Sequence, residues 1–335
     1  MKVLVTGGLG FIGSHTTHML LKRGYKVLIL DNLSNSRLET LDGINSSCEN
    51  KAQFVEGDIL DRRLLDQIFT SYDVQGVIHF AALKSVKESM EKPERYHLNN
   101  VEGTERLLGK CIQHGVERFV FSSSAAVYGN SSSPVSEDAE IGEILNPYGG
   151  SKIKCEQILR NTYSLHGKPD ITILRYFNVA GAHPEGILGE EMRTDDGNLM
   201  SHIIRIATGE IEKLFIYGGD YDTPDGTGIR DYIHVMDVAR GHIHALEKQK
   251  RGVHIYNLGS GKGTSVLQIL QSFEKVNGRR IAYEIVERRE GDIGVSFADP
   301  SKAMEELGWW AELDIRDIVR DSWDYQWRLI QDMCK

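Results

Sequence analysis

The chain has 335 residues, 40% hydrophobic and 26% charged, enough apolar content for two packed lobes and too much for a disordered chain. Its formal net charge of −9 argues against a general nucleic-acid binder, since such domains are usually basic, but leaves room for an anionic small ligand held by a few arginines. Cys48, Cys111, Cys155 and Cys334 lie far apart with no C-x-x-C, which argues against a zinc ribbon or a disulfide framework.

The N-terminus enters "KVLVTGG" at once, a β-branched strand ending in glycines. No secretory leader precedes it, and no window reaches about 18 uninterrupted apolar residues, so a cytoplasmic protein without a transmembrane helix is expected. "FIGSHTTHMLLKRG" has helical spacing and stops at Gly24, and "YKVLILDN" is a second strand. "QFVEGD", "VQGVIHFAA" and "VERFVFSSS" follow with helical segments between them, the longest being "PERYHLNNVEGTERLLGKCIQHG". "NSSSPVSED" reads as a solvated loop. Strand alternating with helix predicts an α/β fold with a doubly wound parallel sheet of Rossmann type. Beyond 171–176 the alternation weakens, so residues 1–178 are expected to form the nucleotide-binding domain and 179–335 a smaller mixed α/β substrate lobe. A segment near 232–260 is expected to pack back on the first domain.

"VTGGLGFIG" places Gly7, Gly10 and Gly13 directly after the first strand, where a tight turn and a helix N-terminus suit a pyrophosphate. The spacing is G-x-x-G-x-x-G, and a glycine-rich turn that binds nothing is the bland alternative. Asp31 ends the second strand eighteen residues past Gly13, where a carboxylate accepts from an adenosine ribose and repels a 2′-phosphate, favouring NAD over NADP. Asp58, ending the third strand, suits either an adenine contact or a helix N-cap.

In "NPYGGSK", Asn146 suits an N-cap and Pro147 the first helical position. Tyr148 and Lys152 then share one helix face, a turn apart. A free phenol titrates near about 10, and bringing it to neutrality needs roughly 4 kcal/mol. A nearby ammonium, a helix end and a cationic nicotinamide act in that direction, so the pair predicts a tyrosine general base with a lowered pKa. Alone, Y-x-x-x-K is common by chance. Here it follows a dinucleotide turn, and the fifth strand ends in "FSSSAAVYG", whose Ser124 is placed to bond both a substrate hydroxyl and the tyrosine. The histidines show no metal spacing, so no metal is expected, and His79 and His234 read as structural or hydrogen-bonded.

Together these residues resemble the extended short-chain dehydrogenase/reductase family. The similarity is closer still to that family's UDP-hexose 4-epimerases. "VTGGLGFIGSH", "LDNLSNS", "FVEGDI", "VIHFAALKSV", "FSSSAAVYG", "NPYGGSK", "LRYFNVAGAHP", "DGTGIRDYIHVMD", "HIYNLGSG" and "RREGD" carry it across nearly the whole chain. The resemblance implies an isomerase that interconverts UDP-galactose and UDP-glucose by oxidising C4, turning the 4-keto sugar and reducing it again. Tyr148 is then the base, Lys152 its electrostatic partner and Ser124 the bridge to the sugar. It further implies that NAD stays bound, held by Gly7, Gly10, Phe11, Ile12, Gly13, Asp31, Asn32, Asn35, Asp58, Ile59, Phe80, Ala81, Ala82, Lys84, Asn99, Ser122 and Tyr176, with Tyr148 and Lys152. The UDP-sugar falls to Phe177, Asn178, Asn198, Leu199, Tyr217, Arg230, Arg289, Asp292 and Ser296, with Ser124 and Tyr148. Either arginine alone reads as a surface salt bridge, but the "RDY" and "RREGD" contexts favour phosphate contacts.

Ser296 occupies a position that is tyrosine in relatives confined to plain UDP-hexoses, so tolerance of N-acetylated sugars is expected. Gly294 and Ser201 stand where the family often has proline, which predicts looser loops. Helices near 93–114 and 147–166 are expected to form a homodimer interface. A 4,6-dehydratase is disfavoured because Ser122, Ser123 and Ser124 include no carboxylate. A UDP-glucuronate epimerase or decarboxylase is the nearer rival, and a non-catalytic NAD-sensing regulator the more distant one.

Overall fold

A computed structural model describes residues 1–144, 146–191, 198–289 and 291–333; Cys334 lies outside them. The first lobe runs β1 (Lys2–Thr6), α1 (Phe11–Lys22), β2 (Lys26–Asp31), α2 (Thr40–Asn45), β3 (Gln53–Glu56), α3 (Arg62–Ser71) and β4 (Gly76–His79). It continues through α4 (Val86–Glu91), α5 (Pro93–Tyr96), a π-helical stretch (His97–Glu102), α6 (Gly103–Gln113), β5 (Arg118–Ser124), α7 (Pro147–His166) and β6 (Asp170–Tyr176). Then come β7 (Asn178–Ala180), α8 (Leu199–Ala207), β8 (Leu214–Tyr217), β9 (Ile229–His234), α9 (Val235–Glu247), β10 (Val253–Leu258), β11 (Gly263–Ser265), α10 (Val266–Asn277), β12 (Tyr283–Val286), β13 (Val295–Ser296), α11 (Ser301–Leu307) and α12 (Ile315–Met333).

Among the described residues a seven-stranded parallel sheet has the order β10-β6-β5-β4-β1-β2-β3. Its strands are apolar on both faces, as a sheet covered twice requires. Val3, Val5, Ile29 and Ile78 pack under α1 and α9, whereas Leu4, Leu28, Phe119 and Phe121 pack under α3, α6 and α7. The doubly wound class predicted from the strand–helix alternation is therefore the observed one. The chain runs outward from β1 in both directions, so a crevice opens between the carboxyl ends of β1 and β4.

Residues 235–258 belong spatially to this lobe. The helix α9 packs on α1, and β10 extends the sheet beyond β6. The second lobe has its own core of Ile203, Ile216, Ile269, Phe273, Ile318 and Trp323. Among its described residues two small sheets carry it: β9 joined by β7, β11 and β13, and the pair β8–β12.

The segment 93–115, read as one helix, has a π-helical centre at His97–Glu102. No described helix is long and apolar enough to cross a membrane. Among the described residues no three His, Cys, Asp or Glu side chains group to hold a metal. His79 sits between the hydroxyls of Thr6 (2.7 Å) and Thr104 (2.9 Å), and His234 pairs with Asp321 at 3.2 Å.

Burial pushes His15 and His79 down to about 3, and His183 and His242 down to about 4. The unfolded chain binds these protons near about 6.5, so the stability that neutral burial provides is present above 6.5 and is lost as pH falls toward 3. At pH 5 the loss is about 2 kcal/mol for each fully buried ring. Melting temperature is expected to fall steadily from pH 7 to pH 4, and a flat profile contradicts this reading.

Candidate active site

Backbone geometry makes the glycines of the first turn necessary. Gly7 adopts φ +69, and a Cβ there would stand 2.7 Å from the Ala81 nitrogen at the end of β4. A Cβ on Gly13 would stand 2.2 Å from the Gly7 carbonyl oxygen. Gly10 caps α1 without a side chain, so Phe11, Ile12 and Gly13 begin the helix with N–H groups that its own ladder leaves unpaired. Unpaired N–H groups of this kind suit an anion, and the backbone of Phe80 and Ala81 lies against Gly7.

Asp31 is buried at the end of β2 and accepts from the Leu9 N–H (3.0 Å), the Leu33 N–H (3.0 Å) and the Ser36 hydroxyl (2.8 Å). It thus braces the glycine turn, and a carboxylate's roughly four acceptor sites leave capacity for a ribose. Asp58 accepts from the Asn32 amide and the Leu60 N–H, both at 2.8 Å. The helix-cap alternative for Asp58 is corrected: α3 is capped by Asp61, whose carboxylate takes the Arg63 and Leu64 N–H groups. Asn35 is exposed beside this rim, and Ile59 is buried against Gly103.

Asn99 lies half-buried in the π-helical stretch. Its neighbour Asn100, which sequence reasoning passed over, is fully buried. Asn100 bonds the Leu83 N–H (2.8 Å), the Leu83 carbonyl (3.0 Å) and the Ser151 hydroxyl (3.1 Å), tying the loop after β4 to α7. Two adjacent asparagines inside a helix, where they are poor formers, were the available signal.

The helix α7 starts where its sequence says. Asn146 Oδ1 accepts the Gly149 N–H at 2.8 Å, Pro147 follows, and Gly167 ends the helix at φ 65. Tyr148 is half-buried, and the Ser124 side chain lies near enough to its phenol to favour the ionised form. Lys152 is buried and donates from Nζ to the Ser122 carbonyl at 2.7 Å, above the Phe121 ring. The Ser122 hydroxyl meets the Tyr176 hydroxyl. Burial brings the Lys152 ammonium down to about 8.

The lowered phenol expected from the sequence is not what these residues produce by themselves. Burial pushes the Tyr148 phenol above its usual value, opposed by the Ser124 side chain and the Lys84 charge. The Lys152 ammonium points instead at the Ser122 carbonyl. Lys84 itself pairs with Glu190 at 3.0 Å, and Glu190 also accepts from the Asn198 amide at 2.6 Å. Glu190 thus joins a residue assigned to the cofactor to one assigned to the substrate, a link that no local pattern announces.

In the second lobe, Asn198 caps α8 by accepting the Ser201 N–H at 3.0 Å, and Leu199 follows it. Phe177 is buried, and Asn178 is exposed and in register with Tyr232 in the β7–β9 pair. Arg230 donates to the Ile229 carbonyl at 2.9 Å and to the Gly294 carbonyl at 3.5 Å. Ser296 lies in register with Arg230 in the β13–β9 pair. The Arg289 guanidinium stacks on Tyr217, 3.7 Å from its ring centroid, and Asp292 closes a turn onto the Arg289 carbonyl at 3.2 Å. Gly294 and Ser201 are tied rather than loose, because the Gly294 carbonyl takes the Ile229 N–H and Ser201 uses an N–H that proline lacks.

A glycine turn at a helix N-terminus, an acidic strand end and a serine–tyrosine–lysine group thus sit along one sheet edge. The NAD dependent epimerase/dehydratase family profile matches residues 3–259, most of the chain. The chain belongs to that family. Its relatives there include a Haemophilus influenzae protein named UDP-glucose 4-epimerase, 50% identical over 329 residues, covering 97% of each chain. Among solved structures, the Stenotrophomonas maltophila UDP-glucose-4-epimerase with bound NAD and formylated UDP-arabinopyranose superposes with TM-score 0.96. It is 43% identical and covers 99% of both chains. The Bifidobacterium longum UDP-glucose 4-epimerase in complex with NAD+ and UDP gives 0.94 at 44% identity, over 98% of both. As a member of this epimerase/dehydratase family, grouped with its UDP-glucose 4-epimerases, the protein is an NAD-dependent isomerase.

Proposed function

We propose that the protein interconverts UDP-galactose and UDP-glucose with NAD retained throughout, Tyr148 carrying the proton to and from the sugar 4-hydroxyl. The observation that supports this most is the grouping of Tyr148, Lys152 and Ser124 where the start of α7 meets the carboxyl end of β5, with Lys152 held on the Ser122 carbonyl. NAD supplies a reversible hydride acceptor for C4 and, when oxidised, a positive charge that favours the phenolate.

The chain's own groups divide the remaining work. Gly7, Gly10, Phe11, Ile12 and Gly13 hold the pyrophosphate. Asp31, Asn32, Asn35, Asp58 and Ile59 hold the adenosine end. Phe80, Ala81, Ala82, Lys84, Asn99, Ser122, Tyr176 and Lys152 hold the nicotinamide end. Ser124 orients the sugar hydroxyl toward Tyr148. Inversion requires that the keto sugar turn over while its diphosphate stays fixed. Arg230 and Arg289 suit that anchoring, with Phe177, Asn178, Asn198, Leu199, Tyr217 and Asp292 around the nucleotide. Purified protein is expected to release NAD on denaturation and to turn over UDP-galactose without added cofactor. Turnover of UDP-glucuronate instead favours the uronate reading.

The proposal extends to UDP-GlcNAc and UDP-GalNAc. A serine at 296 leaves room that an aromatic would fill, and apolar packing rejects extra bulk only by about 10–200-fold. Ser296→Tyr is expected to lower kcat/KM for the N-acetylated pair by at least about tenfold while sparing the plain hexoses. Absence of UDP-GlcNAc turnover in the parent enzyme removes this part. We further place the enzyme in the cytoplasm as a homodimer. The exposed Leu98 and Leu165 on the helices 93–114 and 147–166 offer apolar contact there, and light scattering checks the mass.

A further inference from the structure

Tyr148, Lys152 and Glu156 stand at successive turns on one face of α7. Each meets one serine of the run that ends β5. Tyr148 lies next to the Ser124 side chain, Lys152 donates to the Ser122 carbonyl at 2.7 Å, and the Ser123 hydroxyl donates to Glu156 Oε1 at 2.6 Å. The first two belong to the catalytic group, whereas Glu156 touches no reacting atom.

Glu156 is only 4% exposed, rare for a carboxylate. Arg175 grips it as a fork, Nε to Oε1 at 3.0 Å and Nη2 to Oε2 at 2.6 Å. Arg175 comes from β6, in register with Ser123 on β5. Its guanidinium lies over the Tyr128 ring and reaches the Glu137 carbonyl at 3.4 Å.

We propose, resting on the catalytic role given to Tyr148, that Glu156 and Arg175 are positioning residues that lock α7 in register against β5 and thereby hold Tyr148 opposite Ser124. Buried ion pairs contribute little net stability, and apolar side chains of similar volume often serve a fold as well. Direction is what the charged pair adds. Its fork and the Ser123 bond accept one axial position of α7, and a slide by one residue, about 1.5 Å, breaks all three serine contacts together. Misplacing a catalytic group by about 1 Å costs on the order of 10²-fold in rate.

The test compares Arg175→Met, the double variant Glu156→Leu with Arg175→Met, and Glu156→Gln with the parent holoenzyme. It reads melting temperature, copurified NAD, and kcat and KM for UDP-galactose. Arg175→Met alone is expected to melt well below the parent, because it strands a buried carboxylate. The double variant is expected to recover melting temperature and NAD while kcat stays down by on the order of 10²-fold and KM changes less than about threefold. A double variant with parental kcat overturns the proposal, as does a kcat that tracks melting temperature across the series. Should the double variant not fold, Glu156→Gln decides: it keeps the side chain's shape but weakens the fork, and parental kcat in it overturns the proposal equally. A parent enzyme that does not epimerise UDP-galactose strikes the reaction assigned above, whereas a fully active double variant strikes only the positioning role.

Discussion

Tyr148→Phe is expected to lower kcat for UDP-galactose by on the order of 10²–10⁴-fold. The change deletes one hydroxyl and nothing else. The ring keeps its place on α7, whose start is fixed by Asn146 and Pro147, and Lys152 keeps its bond to the Ser122 carbonyl. Lost is the group beside Ser124 that exchanges a proton with the sugar. Copurified NAD and UDP affinity are expected to stay near parental values, because the other residues assigned to them, from the Gly7–Gly13 turn to Arg230 and Arg289, are unchanged. Burial already holds this phenol above its usual value, so the protein environment alone does not generate the phenolate. The phenolate is therefore expected only with oxidised NAD bound, and an acid limb in the kcat/KM profile is the corresponding signature. Variant activity within tenfold of the parent would contradict the role given to Tyr148.

Gly13→Ala is expected to yield protein that folds but no longer holds NAD. The added Cβ falls 2.2 Å from the Gly7 oxygen and 3.0 Å from Gly8 Cα, so it meets backbone that cannot rotate aside. The turn must open, at about 1–3 kcal/mol of overpacking strain. That range corresponds to about 5–150-fold in affinity, given tenfold per about 1.4 kcal/mol. The sheet beneath is built from β1, β2 and β4 contacts that do not involve Gly13, so its melting temperature falls by only a few degrees. Released NAD, measured per protomer, separates the outcomes. A variant that copurifies with as much NAD as the parent shows that the turn does not bind the pyrophosphate.

Local chemistry explains which parts of the molecule can be read from its sequence. Val3 to Val5 and Val27 to Leu30 are apolar on both faces, so a covered parallel sheet follows from pattern alone. Asn146, Pro147 and Gly167 punctuate α7 because capping depends on neighbours a few residues away. Pairing over long distances leaves no such trace. The strand β10 joins β6 across 82 residues, as the Gly252 N–H to Asp170 contact shows. The links from Glu190 to Lys84 and from Asn100 to Leu83 depend on the folded loops rather than on any spacing. The same holds for the direction of the Tyr148 shift. Sequence places an ammonium one turn from a phenol, but only the fold shows that the ammonium faces the Ser122 carbonyl.

Incubating the purified enzyme, without added NAD, with UDP-galactose carrying deuterium at C4 tests the central claim most directly. If C4 gives up its hydrogen to a retained cofactor and recovers it on the opposite face, the UDP-glucose formed keeps its deuterium at C4. Formation of UDP-glucose with the label washed out into water, or no conversion at all, would contradict the account.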